Sequence, residues 1–386
     1  MVAINTCGFI LDAKEESINT ILEFAEAKNR GEIDKIFVFG CLTERYKDDL
    51  IKEIPEVDGF YGKFQVKKMV EDLKAEYRMS LSHQRYQTTP AHYAYLKISE
   101  GCNRQCSYCA IPRMTGMHRS IPMDELVQEA TALAKNGVKE LLVIAQDLSF
   151  YGVDLYKEQK LAELTERLAA IPGIEWIKLH YAYPTKFPYD LLPVMREKAN
   201  VARYLDIALQ HCSDNVLKLM RRNISKVETI ALIKRIRLEV PGIHIRTTLL
   251  VGHPGETEED FEELKQFVRE MRFERLGVFP YSHEEDTFAG ETYEDTIPQE
   301  VKQARAEEIM AIQQEIALEI NRHKIGSVLK VVIDRKEEDY FIARTEYDSP
   351  EVDGEVLVSG KKTTIGRYYQ VKITDAEEFD LYGEIV

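Results

Sequence analysis

Three cysteines stand within eight residues in Glu100-Gly101-Cys102-Asn103-Arg104-Gln105-Cys106-Ser107-Tyr108-Cys109. A C-x3-C-x2-C loop can wrap one metal centre. Three thiolates leave one iron of a four-iron cluster without a protein ligand. That open iron can chelate the amino and carboxylate groups of S-adenosylmethionine, whose sulfonium one electron can cleave to a 5′-deoxyadenosyl radical. The alternative is a zinc knuckle with its fourth ligand elsewhere. Zinc sites more often use paired C-x2-C units, and this loop stands alone behind a strand that opens a series of βα units. Spacing and context therefore favour radical chemistry.

Two further thiols share a local pattern. Cys7 lies in Asn5-Thr6-Cys7-Gly8 and Cys41 in Phe39-Gly40-Cys41-Leu42, each just behind a short apolar run and beside a glycine. In a parallel sheet the ends of neighbouring strands share one edge, so these thiols can converge. Buried structural cysteine is the competing reading. Cys212 is read as a structural or pocket-lining thiol. The N-terminus lacks a basic n-region and a signal h-region, so the chain is read as cytoplasmic, where clustered cysteines bind metal or catalyse more often than they form disulfides. No apolar run of about 18 residues is present to span a membrane.

Other polar residues are placed by the strands before them. Gln146 closes the second strand of the central region, and Asp206 and Gln210 flank the end of the fourth. They are candidates for ribose hydroxyls or a methionine end. Arg221 and Arg222 could clamp a carboxylate. Gly252-His253-Pro254-Gly255-Glu256-Thr257 ends the fifth strand, where Gly252 allows a tight turn near adenine and Thr257 can cap the next helix. Ordinary polarity at the strand ends is the competing reading for each. The lone histidines His83, His92 and His118 read as surface or structural.

The elements that must hold these residues follow from periodicity. Val2–Asn5 and Ile36–Phe39 are strand-like, with a helical pattern at Ala13–Asn29 between them. This is a small parallel α/β unit, assigned to residues 1–80. The chain opens inside a strand, so upstream residues are expected to be missing. A polar linker is assigned to 81–92. Residues 93–322 repeat strand then helix, with strands at Ala94–Ser99, Glu140–Ala145, Trp176–His180, Tyr204–Ala208, Ile245–Val251 and Leu276–Tyr281. Helical patterns include Asp124–Asn136, Lys226–Val240, Glu258–Met271 and Gln299–Lys324. Six βα units imply a wound parallel sheet or partial barrel, with its chemistry at the carboxyl ends of the strands. Residues 323–386 carry strand-like runs at Val328–Asp334, Tyr340–Thr345, Gly354–Val358 and Tyr368–Thr374, expected to form a small five-stranded barrel.

The cysteine loop, its place and the six βα units resemble the radical S-adenosylmethionine superfamily. With Asn5-Thr6-Cys7 and Gly40-Cys41 added, essentially the whole chain is similar to its methylthiotransferase branch. That resemblance implies an N-terminal methylthiotransferase domain, a partial (β/α)6 radical barrel and a TRAM barrel. It implies two 4Fe-4S clusters. Cys102, Cys106 and Cys109 would hold the radical cluster, with Tyr108 near the adenine, and Cys7 and Cys41 would be the second and third ligands of an auxiliary cluster. The family's first auxiliary cysteine lies upstream of Met1. Two molecules of S-adenosylmethionine are implied, one a methyl source and one a radical source, with a reductant such as flavodoxin or ferredoxin.

Three substrates compete within that branch: an adenosine beside the tRNA anticodon, a carbamoylated adenosine, and the β-carbon of an aspartate in small-subunit ribosomal protein number twelve. Tyr281-Ser282-His283-Glu284-Glu285-Asp286-Thr287 has adjacent acids where the tRNA enzymes usually show arginine. Gln146-Asp147 stands where they tend to have Gln-Asn. Both resemble the ribosomal-protein enzyme, although a solvated turn also accounts for the acids. Charge agrees independently. The chain carries a net −15, and Lys324–Val386 has nine Lys plus Arg against fourteen Asp plus Glu. Gripping RNA calls for basic surface, whereas an acidic module suits a basic protein. A non-catalytic ribosome- or RNA-binding protein with a decayed cluster is the reading from another class. The intact three-cysteine loop argues against it.

Overall fold

A computed structural model describes residues 1–76, 87–360 and 363–386. Part of the expected linker, 81–86 with His83, lies outside the described residues. The chain forms two compact units. The first takes the described part of Met1–Tyr86 with Glu100–His118 and Ser282–Glu294. The second takes Gln87–Ser99, Arg119–Tyr281 and Asp295–Val386. The cysteine loop and the acidic segment thus join the N-terminal sheet, and the C-terminal barrel joins the central one.

In the first unit, β1 (Val2–Thr6), β2 (Ile36–Gly40) and β3 (Gly59–Gly62) form a parallel sheet in that order. The helix Leu11–Asn29 buries Ile21 and Ala25 against Ile4, Ile36 and Val38. The sheet has a third strand beyond the two expected. Gly-Phe-Tyr-Gly is too short to show a period of two.

The second unit carries β4 (Tyr93–Lys97); the two-residue strands β5 (Ser99–Glu100), whose Glu100 belongs to the first unit, and β6 (Arg119–Ser120) stand on either side of the cysteine loop in sequence. Then come β7 (Glu140–Ile144), β8 (Trp176–Ala182), β9 (Val201–Gln210), β10 (His244–Val251) and β11 (Arg275–Pro280). The main sheet is parallel throughout and ordered β11-β10-β9-β8-β7-β4, as expected of six successive βα units. Side chains alternate across it. Leu141, Val143, Ile177, Leu179, Leu205, Ile207 and Ile245 pack under the helices. The opposite face carries Glu140, Lys178, His180, Tyr204, Asp206 and Arg246. Among the described residues no helix is long and apolar enough to cross a membrane.

Strands β12 (Val328–Glu337), β13 (Tyr340–Thr345), β14 (Val356–Ser359), β15 (Tyr368–Ala376) and β16 (Leu381–Ile385) close a barrel in the order β12-β13-β14-β16-β15. Val331, Ile333, Ala343, Val356, Val358, Val371 and Ile373 fill it. A buried charge network ties this barrel to the main sheet. Arg344 donates twice to Glu140, at 3.1 and 2.8 Å, and to Asp334 at 2.5 and 3.0 Å. Lys178 Nζ lies 2.7 Å from Glu140 and also donates to the carbonyls of Thr345 and Asp348. Arg344 and Lys178 outweigh the burial cost on Glu140 and hold its carboxyl near 2. His92 is structural, buried with Nε2 2.7 Å from Asp334.

Candidate active site

The thiols of the first unit are positioned by backbone. β1 and β2 pair so that Thr6 stands opposite Gly40. Cys7 and Cys41 follow those partners directly, at the same edge of the sheet. Gly40 has φ +119°, and a Cβ there would lie 2.5 Å from the Thr6 carbonyl oxygen, so no other residue fits before Cys41. Ser17 fixes Cys7 from the helix, accepting its N–H at 3.0 Å and donating to its carbonyl at 3.1 Å. Cys7 is exposed and Cys41 half-buried.

The three-cysteine loop is closed at its base. Cys102 N–H donates to Gly116 O at 3.2 Å, and His118 N–H donates to Asn103 Oδ1 at 2.9 Å. Gly101 has φ +80°, and a Cβ there would meet Met117 O at 2.3 Å. A turn follows in which Cys109 N–H donates to Cys106 O at 3.2 Å. The Cys102 sulfur accepts the Arg104 N–H at 3.4 Å. Cys102 is buried, Cys106, Tyr108 and Cys109 are half-buried, and none of the six cysteines is in a disulfide.

The acidic segment links both cysteine sets. Glu284 is buried, 2.8 Å from Lys14 Nζ and 3.9 Å from Arg45 Nη1. Arg45 also donates to Gly8 O, next to Cys7, at 2.9 Å and to Glu285 O at 3.0 Å. Five residues on, Ala289 N–H donates to Ser107 O inside the cysteine loop at 2.7 Å. Glu284 is therefore an internal tie and not a solvated acid. Sequence reading had no signal for Lys14 or Arg45, because their partner is some 240 residues or more away.

The remaining candidates lie in the second unit. Gln146 follows β7, and Asp147 behind it accepts the Ser149 N–H at 2.9 Å, capping a short turn. β9 runs on to Gln210, which has φ +72°. Asp206 consequently sits inside the strand and not near its end. It is buried, 3.6 Å from Arg246 and 3.9 Å from His180, and burial lifts its carboxyl to about 6. Arg221 has φ +57° and is half-buried. Arg222 does not join it in a clamp. It is buried, donates to Ala208 O and lies over the Tyr183 ring at 4.2 Å. Gly252 has φ +73°, and its N–H donates to Glu256 Oε2 at 2.8 Å. Glu256 also holds Arg305 at 2.7 Å, and burial raises its carboxyl to about 7 against that pairing. Thr257 caps the next helix in a capping box with Asp260.

Comparison with known proteins agrees with this layout. Residues 1–62 match the uncharacterized protein family UPF0004, 96–268 the radical SAM superfamily and 325–386 the TRAM domain. The ribosomal protein uS12 methylthiotransferase RimO of Bacteroides thetaiotaomicron is 62% identical over 100% of this chain and 89% of the relative. The chain belongs to the RimO family. Other RimO proteins, from Porphyromonas gingivalis and Christiangramia forsetii, are 60% and 59% identical, again over 100% of this chain and over 90% and 86% of their own. Among solved structures, the radical S-adenosylmethionine methyltransferase TsrM from Kitasatospora setae, with cobalamin and a [4Fe-4S] cluster bound, superposes with TM-score 0.54. It is 15% identical and covers 70% of this chain and 62% of its own. The cobalamin-dependent radical enzyme OxsB gives 0.52 at 12% identity, over 79% of this chain and 48% of its own. These two share the fold. In this RimO-family chain the donor set suits a four-iron cluster: three thiols in one short closed loop. Among the described residues no three His, Cys, Asp or Glu side chains are already gathered as a metal site. Metal binding commonly does that gathering itself.

Proposed function

We propose that this chain is a radical SAM methylthiotransferase that places a methylthio group on the β-carbon of an aspartate in ribosomal protein uS12, using 4Fe-4S clusters and S-adenosylmethionine. The observation that carries the reading is the packing of both cysteine sets into one compact unit, joined by Glu284 and Ala289. The aspartate β-C–H is unactivated, so its hydrogen leaves as an atom and not as a proton. When bound at Cys102, Cys106 and Cys109, a four-iron cluster supplies the electron that makes S-adenosylmethionine a radical source. Cys7 and Cys41 stand ready at one sheet edge as ligands of an auxiliary cluster. Gln146, Gln210, Arg221 and Gly252, at or beyond the carboxyl ends of their strands, are the proposed contacts for S-adenosylmethionine, with Tyr108 for its adenine. Asp206 serves them from within β9 by shaping the strand beside it. The net −15 suits a basic protein partner, met free or on the ribosome in the cytoplasm, with flavodoxin or ferredoxin as electron donor.

Mass spectrometry of uS12 and of tRNA from cells with and without the gene tests this. uS12 is expected to lose one methylthio group when the gene is deleted. An unchanged uS12 with altered tRNA adenosines would replace the protein substrate by RNA.

A further inference from the structure

Strand β8 contains a conformation that its sheet does not require. Tyr181 has φ +68°. A left-handed backbone is a genuine outlier for a bulky aromatic, and such residues cluster where a ligand is held. Ile177 and Leu179 face the helices while Lys178 and His180 face the other way, so regular alternation would turn Tyr181 under the helices. Instead the pairing with β9 slips, from Leu179 opposite Leu205 to Ala182 opposite Ile207. This extra residue is a bulge, a device that re-aims a side chain. Tyr181 is 51% exposed while His180 and Ala182 on either side are buried. Its phenol senses Asp206, Arg246 and Tyr95, all on the polar face.

The cations on that face are already committed. Arg246 pairs with Asp206 and Asp353, Lys178 with Glu140, and Arg275 with Asp348. The Tyr204 hydroxyl donates to Asp353 at 2.8 Å. Among the described residues no hydrogen bond engages the Tyr181 hydroxyl. Burial and the nearby Asp206 push its pKa up, so it stays a neutral donor.

We propose that Tyr181 is a positioning residue for the protein substrate, its hydroxyl donating a hydrogen bond to the carboxylate of the aspartate that is modified. This rests on the function proposed above. The carboxylate is the one polar handle next to an otherwise featureless β-C–H, so holding it orients that bond. The register shift between Leu179 and Ala182 and the left-handed backbone at Tyr181 turn the ring toward the polar face.

The test is a binding cycle with purified uS12, wild type and with the target aspartate changed to asparagine, against wild-type enzyme and Tyr181→Phe. Tyr181→Phe keeps the ring and the backbone, so its melting temperature should match wild type. It is expected to weaken binding of unaltered uS12 about tenfold, the worth of one hydrogen bond to a charged group. The asparagine form should bind both enzymes alike. Equal affinity of the two enzymes for unaltered uS12, or the same loss with both forms, would overturn the proposal. If Tyr181→Phe does not fold, Tyr181→Gly, which suits the left-handed backbone, carries the same comparison. A wild-type enzyme that neither binds nor modifies uS12 would instead remove the functional reading beneath it.

Discussion

Cys7 is exposed, and Cys41, Cys106 and Cys109 keep part of their surface in water. Glu140 and Lys178 keep none, and Arg344 almost none. The first group is held by backbone hydrogen bonds, by Ser17 and by the Lys14–Glu284 pair. The second is a closed set in which each charge meets an opposite one. Ligation needs thiols that a metal can reach, and in the cysteine unit Cys7, Cys41, Cys106 and Cys109 stay accessible while Cys102 is buried. The Glu140–Lys178–Arg344 cluster ties the barrel to the sheet and is sealed. Cys212 makes the contrast within one residue type. It is fully buried in the second unit, and burial pushes its thiol far up, which leaves it inert.

The largest effect should come from opening the sealed region. Glu140→Ala leaves Lys178 and Arg344 buried without their shared carboxylate. Breaking a buried ion pair from one side costs about 3–5 kcal/mol. Urea unfolding followed by circular dichroism should show that loss. Iron bound per folded chain should stay unchanged, because the cysteine unit does not draw on this network. A parallel fall in iron would show that the two regions are not held independently.

Glu284→Ala attacks the other side of the comparison. It strips Lys14 of its partner at 2.8 Å and removes the anchor of the segment that reaches the cysteine loop. A lost hydrogen bond to a charged group costs about 1–3 kcal/mol. Hydrogen exchange should quicken at Ala289 and Cys7 while amides of β7 to β10 keep their protection. Uniform loss of protection would mean that Glu284 supports the whole fold and not only the cysteine unit.

These two tests also mark where sequence reading stops. The helix Glu258–Met271 and the strand Tyr340–Thr345 agree with their periodicity to the residue, and the order of the six sheet strands follows from their succession. Periodicity is local, and so are the C-x3-C-x2-C spacing and the glycine beside each auxiliary cysteine. Glu140 and Arg344 are 204 residues apart. Their pairing depends on how a barrel docks against a sheet, which leaves no pattern along the chain. Glu284 read equally well as a solvated acid, because its partner Lys14 lies 270 residues earlier. Arg222 read as a free cation for a similar reason, and Asp206 was set near a strand end because β9 runs two residues longer than its apolar core. Tyr181 is invisible for another reason, since the left-handed turn comes from a bulge and the sequence around it is ordinary for a strand.

The smallest and most graded difference should appear with acid. Burial holds the imidazoles of His180, His211 and His244 neutral down to about 3 and that of His253 to about 4. All four lie in the second unit. An unfolded histidine takes up its proton near 6.5, so their contribution is complete above that pH and drains away as pH falls toward 4. Each unmatched proton is worth about 1.4 kcal/mol per pH unit. Asp206, raised to about 6, and Glu256, raised to about 7, act the other way. They keep protons that the unfolded chain has released, so their stability is present at low pH and lost as pH rises toward 6 to 7. Between pH 6 and 4.5 the four histidines outnumber the two acids. The net of two protons predicts a loss of about 3 kcal/mol per pH unit on acidification. Urea titrations at a series of pH values check this slope, and His180→Gln should reduce it by one proton. A slope that His180→Gln leaves unchanged would place the acid sensitivity away from His180.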